Sequence, residues 1–459
     1  MPHPLSLHRG MERLRSLLRP EGRGGLQVIT ATDSDKSGKL FLSAEGRLYR
    51  GITASMSPFF RSLLRSGLID SLSQKGLLVD TSVCNRRIDG YDLVVEHRRI
   101  PYVTYSSEWT PEMLRDAAVQ VLALQTELAA GGMQLHDGHC MNTLFAGTRP
   151  VWVDLGSIEV APPGELWPAT EEFCRWFLHP VAMSAAGYPG EARVLTRDYV
   201  NGVPRGLVEK LCPDLAAKWT HSSYTTLEIS QRNRLGLIDT LLRELSDIQL
   251  PRRTTDWSEY YSGTPADIEP SDGWRPKQRT FYQILQKVRP ETLVDIGSNR
   301  GVYGQIAARH GITVAAFDRD ETAVADLYND ARNRHLPMTA LLCDLMNPTP
   351  ARGINYRWWP SVHDRLRSDM AIALALVHHL VFKAHLDFEQ IVSCLAGFAR
   401  KWLLVEFIPR DDKYVKEWLT PEHDWYTLPC FLDCLKKHFR RVETLPSDPD
   451  PRLFVLCER

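Results

Sequence analysis

Three short apolar runs in the second half of this chain each close on an aspartate, and that pattern constrains the fold more than any other feature. Thr292, Leu293, Val294, Asp295 and Ile296 form the first, followed by Gly297, Ser298, Asn299, Arg300 and Gly301 and then by the helical spacing of Tyr303, Ile306 and Ala307. This is the pattern of a buried parallel strand that turns sharply into a helix. The second run, Ile312 to Phe317, ends in Asp318, and the third, Ala340 to Cys343, ends in Asp344. Strands alternating with helices in this way predict an α/β fold built on a doubly wound sheet.

The placement of these residues implies a chemistry. Glycines at the carboxyl end of a strand let backbone approach a ligand where a Cβ would collide, and an acid ending the next strand can accept both hydroxyls of a ribose. In a doubly wound sheet the strand ends share one crevice, so Asp295, Asp318 and Asp344 are expected to converge on one nucleoside. A pyrophosphate ligand would call for GxGxxG and a helix dipole facing it. The loop reads DIGSNRG instead; its leading acid would repel a phosphate but can hold the ammonium of S-adenosylmethionine through a water. Bound S-adenosylmethionine is therefore the expectation.

The 459 residues predict two to four domains with real cores, and a hydrophobic content of 43% with 24% charged residues is globular. A formal net charge of -1, with no basic stripe interleaved with aromatics, argues against nucleic acid as a partner. The nine cysteines are scattered, odd in number and without a CxxC pair, which fits free thiols in a reducing cytoplasm. The longest apolar run, Ala371 to Phe382, contains two histidines and is too short for a membrane span. Residues 1–38, with Arg9, Arg13, Arg15, Arg19 and Arg23, read as a basic tail or short surface helix.

Residues 39–250 read as one domain. Leu40, Leu42, Leu48 and Tyr49 alternate around a Glu45-Gly46 turn as in a β-hairpin. Ser57 to Ser66 reads as a helix capped by Ser57 and stopped by Gly67. A strand pair is expected at Tyr91 to Glu96 and Pro101 to Tyr105, and a long helix from the Thr110 cap to Gly131. Then come His136, Asp137 and Asn142, and a hairpin through Phe145, Gly147 and Val151 that ends at Asp154, Leu155 and Gly156.

That order and spacing resemble the catalytic core of the protein-kinase-like fold, where HxDxxxxN supplies a base and a metal ligand and a DFG aspartate the second ligand. The resemblance assigns Asp137 as base and Asn142 and Asp154 to Mg2+, with ATP as the nucleotide. No glycine-rich loop and no VAIK-type lysine accompany them; Arg50 is the basic residue nearest the expected place. A bracing role for the acid and amide in a turn competes with the catalytic one.

Residues 164–250 read as mostly helical, with Phe173, Trp176 and Phe177 as core, and residues 251–276, with Trp257, Tyr260, Tyr261 and Trp274, as an ordered connector. Residues 277–459 hold the acid-closed strands. Asp369 to Leu376, Lys401 to Phe407 and Arg452 to Leu456 add to them, a count that suits a seven-stranded sheet whose final strand is antiparallel.

The stretches LVDIGSNRG, FDRD, LALVHHL and LVEFIPRDDKYV resemble class I S-adenosylmethionine-dependent methyltransferases. Together with RLYRG, SSEWTPEMLRDAA, LHDGHCMNTLF, VWVDLGS and EEFCRWFLHPVAM, they make the whole chain resemble bacterial methyltransferases of the NoeA nodulation-protein type, which join a kinase-like region to a methyltransferase. The resemblance implies a Rossmann-like seven-stranded sheet preceded by an α+β kinase-like domain. It implies that Asp295, Gly297, Ser298, Asn299 and Gly301 line the methionine end of the cofactor and that Asp318 binds ribose, with Arg319 among the contacts. Asp344 would bond the adenine amine, and Leu376 would lie beside the cofactor. Asn299 stands where many such enzymes carry glycine.

Methyl transfer from a sulfonium is an in-line displacement that alignment alone can accelerate, and a hydroxyl or ammonium acceptor also needs a base. His378 and His379 follow the fourth strand and Glu406 ends the fifth, which makes His378 and Glu406 the candidate bases. Three functions stay open. The chain methylates a small-molecule, saccharide or lipid-linked acceptor with help from its N-terminal half; or it both phosphorylates and methylates; or a pseudokinase half regulates the methyltransferase.

Overall fold

The computed structural model describes residues 25–29, 37–162, 165–197, 202–221, 231–255, 267–356 and 358–459. Contacts divide the chain into two compact units, Met1–Arg99 with Asp154–Gly156, and Ile100–Val153 with Ser157–Arg459.

In the first unit the strands are β1 (Leu26–Val28), β2 (Gly38–Ser43), β3 (Leu48–Ile52), β4 (Thr81–Val83) and β5 (Leu93–His97), in an antiparallel sheet ordered β1-β2-β3-β5-β4. Two expectations are corrected here. β1 lies inside the segment read as a basic tail and pairs with Phe41 to Ser43; the tail arginines lie outside the described residues. β5 pairs with β3 and β4 rather than with Pro101 to Tyr105, which form no strand. The helix Ser57–Arg65 is capped by Met56, while Ser57 Oγ accepts from Arg61 Nε at 3.0 Å.

The second unit is built around β10 (Thr292–Ile296), β11 (Thr313–Asp318), β12 (Met338–Leu342), β13 (Ser368–Ala373), β14 (Ala399–Phe407), β15 (Arg441–Pro446) and β16 (Leu453–Glu458). Their order is β12-β11-β10-β13-β14-β16-β15, with β10 to β14 parallel and β16 antiparallel to both neighbours. Leu293, Val294, Val314 to Phe317, Met370 to Ala373 and Leu403 to Val405 are all buried, as expected of strands covered on both faces. The chain winds from β10 through β11 to β12, then crosses to β13 and β14 on the other side. Strand order therefore reverses between β10 and β13, which opens a crevice at their carboxyl ends.

The rest of this unit is largely helical. Thr110 caps the helix Pro111–Ala130, its hydroxyl accepting from Met113 N at 3.4 Å. Short ladders pair β6 (Met133–Leu135) with β9 (Ile158–Val160) and β7 (Thr143–Ala146) with β8 (Arg149–Trp152). The helix Gln231–Ser246 is clasped to the preceding chain by Glu244, which accepts from His221 N at 2.9 Å, from His221 Nδ1 at 2.6 Å and from Thr220 N. His221 Nε2 in turn lies 3.7 Å from the buried Cys174 Sγ. In the connector Trp274 is buried and donates to Asp267 O at 3.1 Å, whereas Trp257, Tyr260 and Tyr261 lie outside the described residues.

Residues 100–153 and the large sheet interlock. The Tyr102 hydroxyl lies 2.7 Å from Ser368 Oγ and donates to Leu293 O at 3.2 Å. Glu108 and Arg365 form an ion pair whose side chains are 1% and 3% exposed. Tyr328 donates to Asp116 Oδ2 at 2.7 Å. Among the described residues no helix is long and apolar enough to cross a membrane.

Candidate functional site

At the reversal point β10 ends and the loop begins. Gly297, Asn299 and Gly301 take positive φ of 67°, 49° and 65°. The positive φ favours glycine at 297, and a Cβ there would stand 3.0 Å from Leu376 Cδ1, so that side chain would have to give way. Asparagine tolerates the left-handed region, and Asn299 Oδ1 secures it by accepting from Arg300 N at 2.7 Å. The helix Val302–Arg309 starts directly after Gly301.

The acids are set by backbone amides. Asp318 Oδ2 accepts from Asn299 N at 2.8 Å and its Oδ1 from Asp320 N at 3.0 Å. Burial pushes its pKa up while these two N–H groups oppose the rise. Asp295 is 4% exposed, and its Oδ2 accepts from Gly304 N at 3.1 Å. Burial pushes Asp295 up to about 7; the Gly304 N–H and Lys277 oppose this, and the Asp318 charge adds to it. Asp344 follows β12, its Oδ1 accepting from Met346 N at 2.9 Å, and Arg319 is exposed just past β11. Asp295, Asp318, the loop and Leu376 thus meet at the ends of β10, β11 and β13.

The two candidate bases lie on the β13 and β14 side. His378 is 5% exposed, stacks on Trp418 at 5.9 Å between centroids, and has a buried Nδ1 with no partner among the described residues. Burial, followed by His379, Arg452, Lys383 and Lys277, pushes it down to about 2. Such a ring stays neutral and is poorly matched to take a proton near pH 7. Glu406 is fully buried, with Oε2 bonded to Lys277 Nζ at 2.6 Å and Oε1 accepting from Ser447 Oγ at 2.7 Å. A proton-accepting role would require that ion pair to break. Sequence reasoning missed Lys277; its signal was a lysine in the first turn of a helix that otherwise turns Phe281, Ile284 and Leu285 into the core.

The residues expected from the kinase-like pattern separate into two sets. In the second unit Asn142 Nδ2 donates to Asp137 Oδ2 at 3.2 Å, and Glu172 accepts from the adjoining Gly138 N at 2.6 Å. In the first unit Asp154 Oδ1 accepts from Arg50 Nη2 at 2.7 Å and from Gly156 N at 3.0 Å. Arg50 is 4% exposed and also donates to Ser37 Oγ at 2.7 Å. A Cβ on Gly156 would stand 2.5 Å from Arg50 Nη1, so the glycine admits the guanidinium. The assignment of Asp154 to Mg2+ fits poorly, because a fixed cation already neutralises that carboxylate. Among the described residues no group of three or more His, Cys, Asp or Glu side chains is arranged to hold a metal ion.

No protein-family model matches the chain. Among solved structures, the bifunctional kinase-methyltransferase WbdD is similar at 15% identity and a TM-score of 0.31, over 44% of this chain and 46% of that one. Magnesium protoporphyrin IX methyltransferase (ChlM) from Synechocystis PCC 6803 with bound SAH is similar at 14% identity and a TM-score of 0.28, over 40% of this chain and 83% of that one. These TM-scores are too low to establish a shared fold. Nodulation protein NoeA of Rhizobium meliloti (strain 1021) is 24% identical over 428 residues, which span 87% of this chain and 88% of the relative. The chain is thus a homologue of NoeA over most of the length of both.

Proposed function

We propose that the chain transfers the methyl group of S-adenosylmethionine to a small-molecule, saccharide or lipid-linked acceptor, its kinase-like half assisting substrate recognition. The observation that carries this reading is Asp318, whose two oxygens are held by the N–H groups of Asn299 and Asp320 at the reversal of strand order. Each carboxylate oxygen has a further lone pair to accept a ribose hydroxyl. Asp295 stands behind the glycine loop as a buried acid suited to a cationic group. The bound cofactor supplies a methyl group on a positively charged sulfur. The chain's own contribution is orientation: a rigid loop, two fixed acids and an apolar wall that includes Leu376.

In this reading residues 277–459 carry a class I methyltransferase of Rossmann-like, seven-stranded type, residues 39–250 the kinase-like half, and 251–276 the link. The nine cysteines are all free, which supports a cytoplasmic setting. Of the two roles for the kinase-like half, the Arg50–Asp154 pair favours a non-phosphorylating regulator over a kinase with Asp137 as base and Asn142 and Asp154 on Mg2+.

Calorimetric titration of S-adenosylmethionine tests the reading, with Asp295→Ala and Asp318→Ala as controls. Binding to the wild type that drops at least about a hundredfold in Asp318→Ala is expected, from two lost charge-assisted hydrogen bonds. No binding to the wild type would sink it.

A further inference from the structure

Lys277 is a nearly buried lysine at the carboxyl edge of the large sheet. It is 9% exposed and lies in the first turn of the helix Pro276–Val288. Its one hydrogen bond among the described residues is the 2.6 Å contact to Glu406. Its Nζ also lies 5.0 Å from the ring centroid of Tyr303 and 5.9 Å from that of Phe454. Lysine is among the residues least often buried, and a buried ion pair seldom adds stability over well-packed apolar side chains. Stability alone therefore does not account for the pair. An ammonium has three N–H donors, and only one is engaged with Glu406.

Three landmarks fix where the remaining donors are. Glu406 is at the end of β14, Tyr303 is in the first turn after the glycine loop, and Gly304, next to Tyr303, donates its N–H to Asp295 Oδ2 at 3.1 Å. A positive charge thus lies against the turn that holds the acid read above as facing the amino-acid end of the cofactor. That end carries an ammonium and a carboxylate on one carbon. An acid and a lysine side by side complement both charges, whereas either alone would leave one desolvated and unmatched.

We propose that Lys277 is a cofactor-binding residue whose ammonium receives the α-carboxylate of S-adenosylmethionine, while Asp295 faces the α-ammonium. This rests on the cofactor reading given above. Glu406, anchored by Ser447, is then a positioning residue: it holds the lysine at the crevice.

The test is calorimetric titration with S-adenosylmethionine, S-adenosylhomocysteine and decarboxylated S-adenosylmethionine, which lacks only the carboxylate. Wild type should bind the decarboxylated ligand about tenfold more weakly or worse, as expected for a lost charge-assisted bond. Lys277→Met should weaken S-adenosylmethionine and S-adenosylhomocysteine by a similar factor and lose the discrimination. Comparing the ratio of affinities between proteins cancels the change in ligand charge. Because Lys277→Met strands Glu406, the double variant Lys277→Met with Glu406→Gln removes both charges, and a thermal melt reports its folding. It should also fail to discriminate. Discrimination that is absent from the wild type, or that persists in both variants, overturns the assignment. Variants that keep cofactor affinity but lose turnover overturn it too, and give the ammonium to the acceptor. A wild type that binds none of the three refutes the cofactor reading itself, and the assignment falls with it.

Discussion

Lowering the pH from 7.0 to 5.5 is expected to weaken S-adenosylmethionine binding at least roughly sixteenfold through the titration of Asp295. Burial raises this carboxyl to about 7, so the ligand-free protein favours its protonated form as pH falls. A cationic ligand needs the ionised form. The affinity is therefore full above the raised value and lost as pH drops through it. With a value near 7 the ionised fraction is about one half at pH 7.0 and about 3% at pH 5.5, which gives the factor. The window avoids His378 and His379, which are pushed down to about 2 and about 4, and the amine of the ligand, which titrates at about 7.7; Asp318, also raised by burial, adds to the loss in the same direction. Calorimetry at four pH values, repeated in buffers of different ionisation enthalpy, reads both affinity and proton release. At pH 6.5 about three quarters of a proton should be released per ligand bound. Asp295→Asn should bind weakly and without this slope. A flat profile in the wild type, or an equal slope in Asp295→Asn, would refute the reasoning.

Three other perturbations probe the frame that holds the site. Glu244→Gln removes the charged acceptor of three N–H groups at residues 220 and 221 and should cost about 2 kcal/mol in urea unfolding, with cofactor affinity unchanged; an unaltered midpoint would deny the clasp its role. Tyr102→Phe should cost about 1 kcal/mol by the same measurement, because the Ser368 hydroxyl and Leu293 carbonyl lose a buried partner. Gly156→Ala places a methyl group 2.5 Å from Arg50 Nη1 and from Ser37 Oγ and should destabilise by about 1–3 kcal/mol in thermal unfolding; no change would mean the guanidinium yields freely.

Strands β10, β11, β13 and β14 are legible in the sequence because burial on both faces makes their residues continuously apolar up to a terminal acid or loop. β15 escapes notice for the converse reason. It is an edge strand in which only Val442 and Leu445 are partly buried, so Arg441, Glu443 and Thr444 mask the alternation. β1 hides in a stretch dominated by glycine and arginine, and its three residues gain meaning only from their pairing with β2. Pro101 to Tyr105 alternate in sequence like a strand but bend at Pro101 and Tyr102, and Tyr102 spends its polar group on the large sheet through its side chain. The placement of Asp295 and Asp318 follows from local pattern. The partners of Glu406 and Asp154 do not, since Lys277 and Arg50 are 129 and 104 residues away in sequence. The strand-end position of Glu406 carries no sign of the lysine that bonds it.

The Tyr102 contact also bears on how this chain can be cut and recombined. The residue lies 191 positions before Leu293, yet its hydroxyl forms part of the floor beneath β10 and β13. Glu108 likewise supplies the buried counter-charge for Arg365, and Asp116 the acceptor for Tyr328. A fragment beginning at residue 277 would keep every strand of the large sheet but leave a buried guanidinium without its carboxylate and a hole where the tyrosine stood. Chimeras between relatives should therefore keep residues 100–153 and 157–459 from one parent, and Asp154–Gly156 with the parent that supplies Arg50, because the seam suggested by the domain pattern runs through a shared wall.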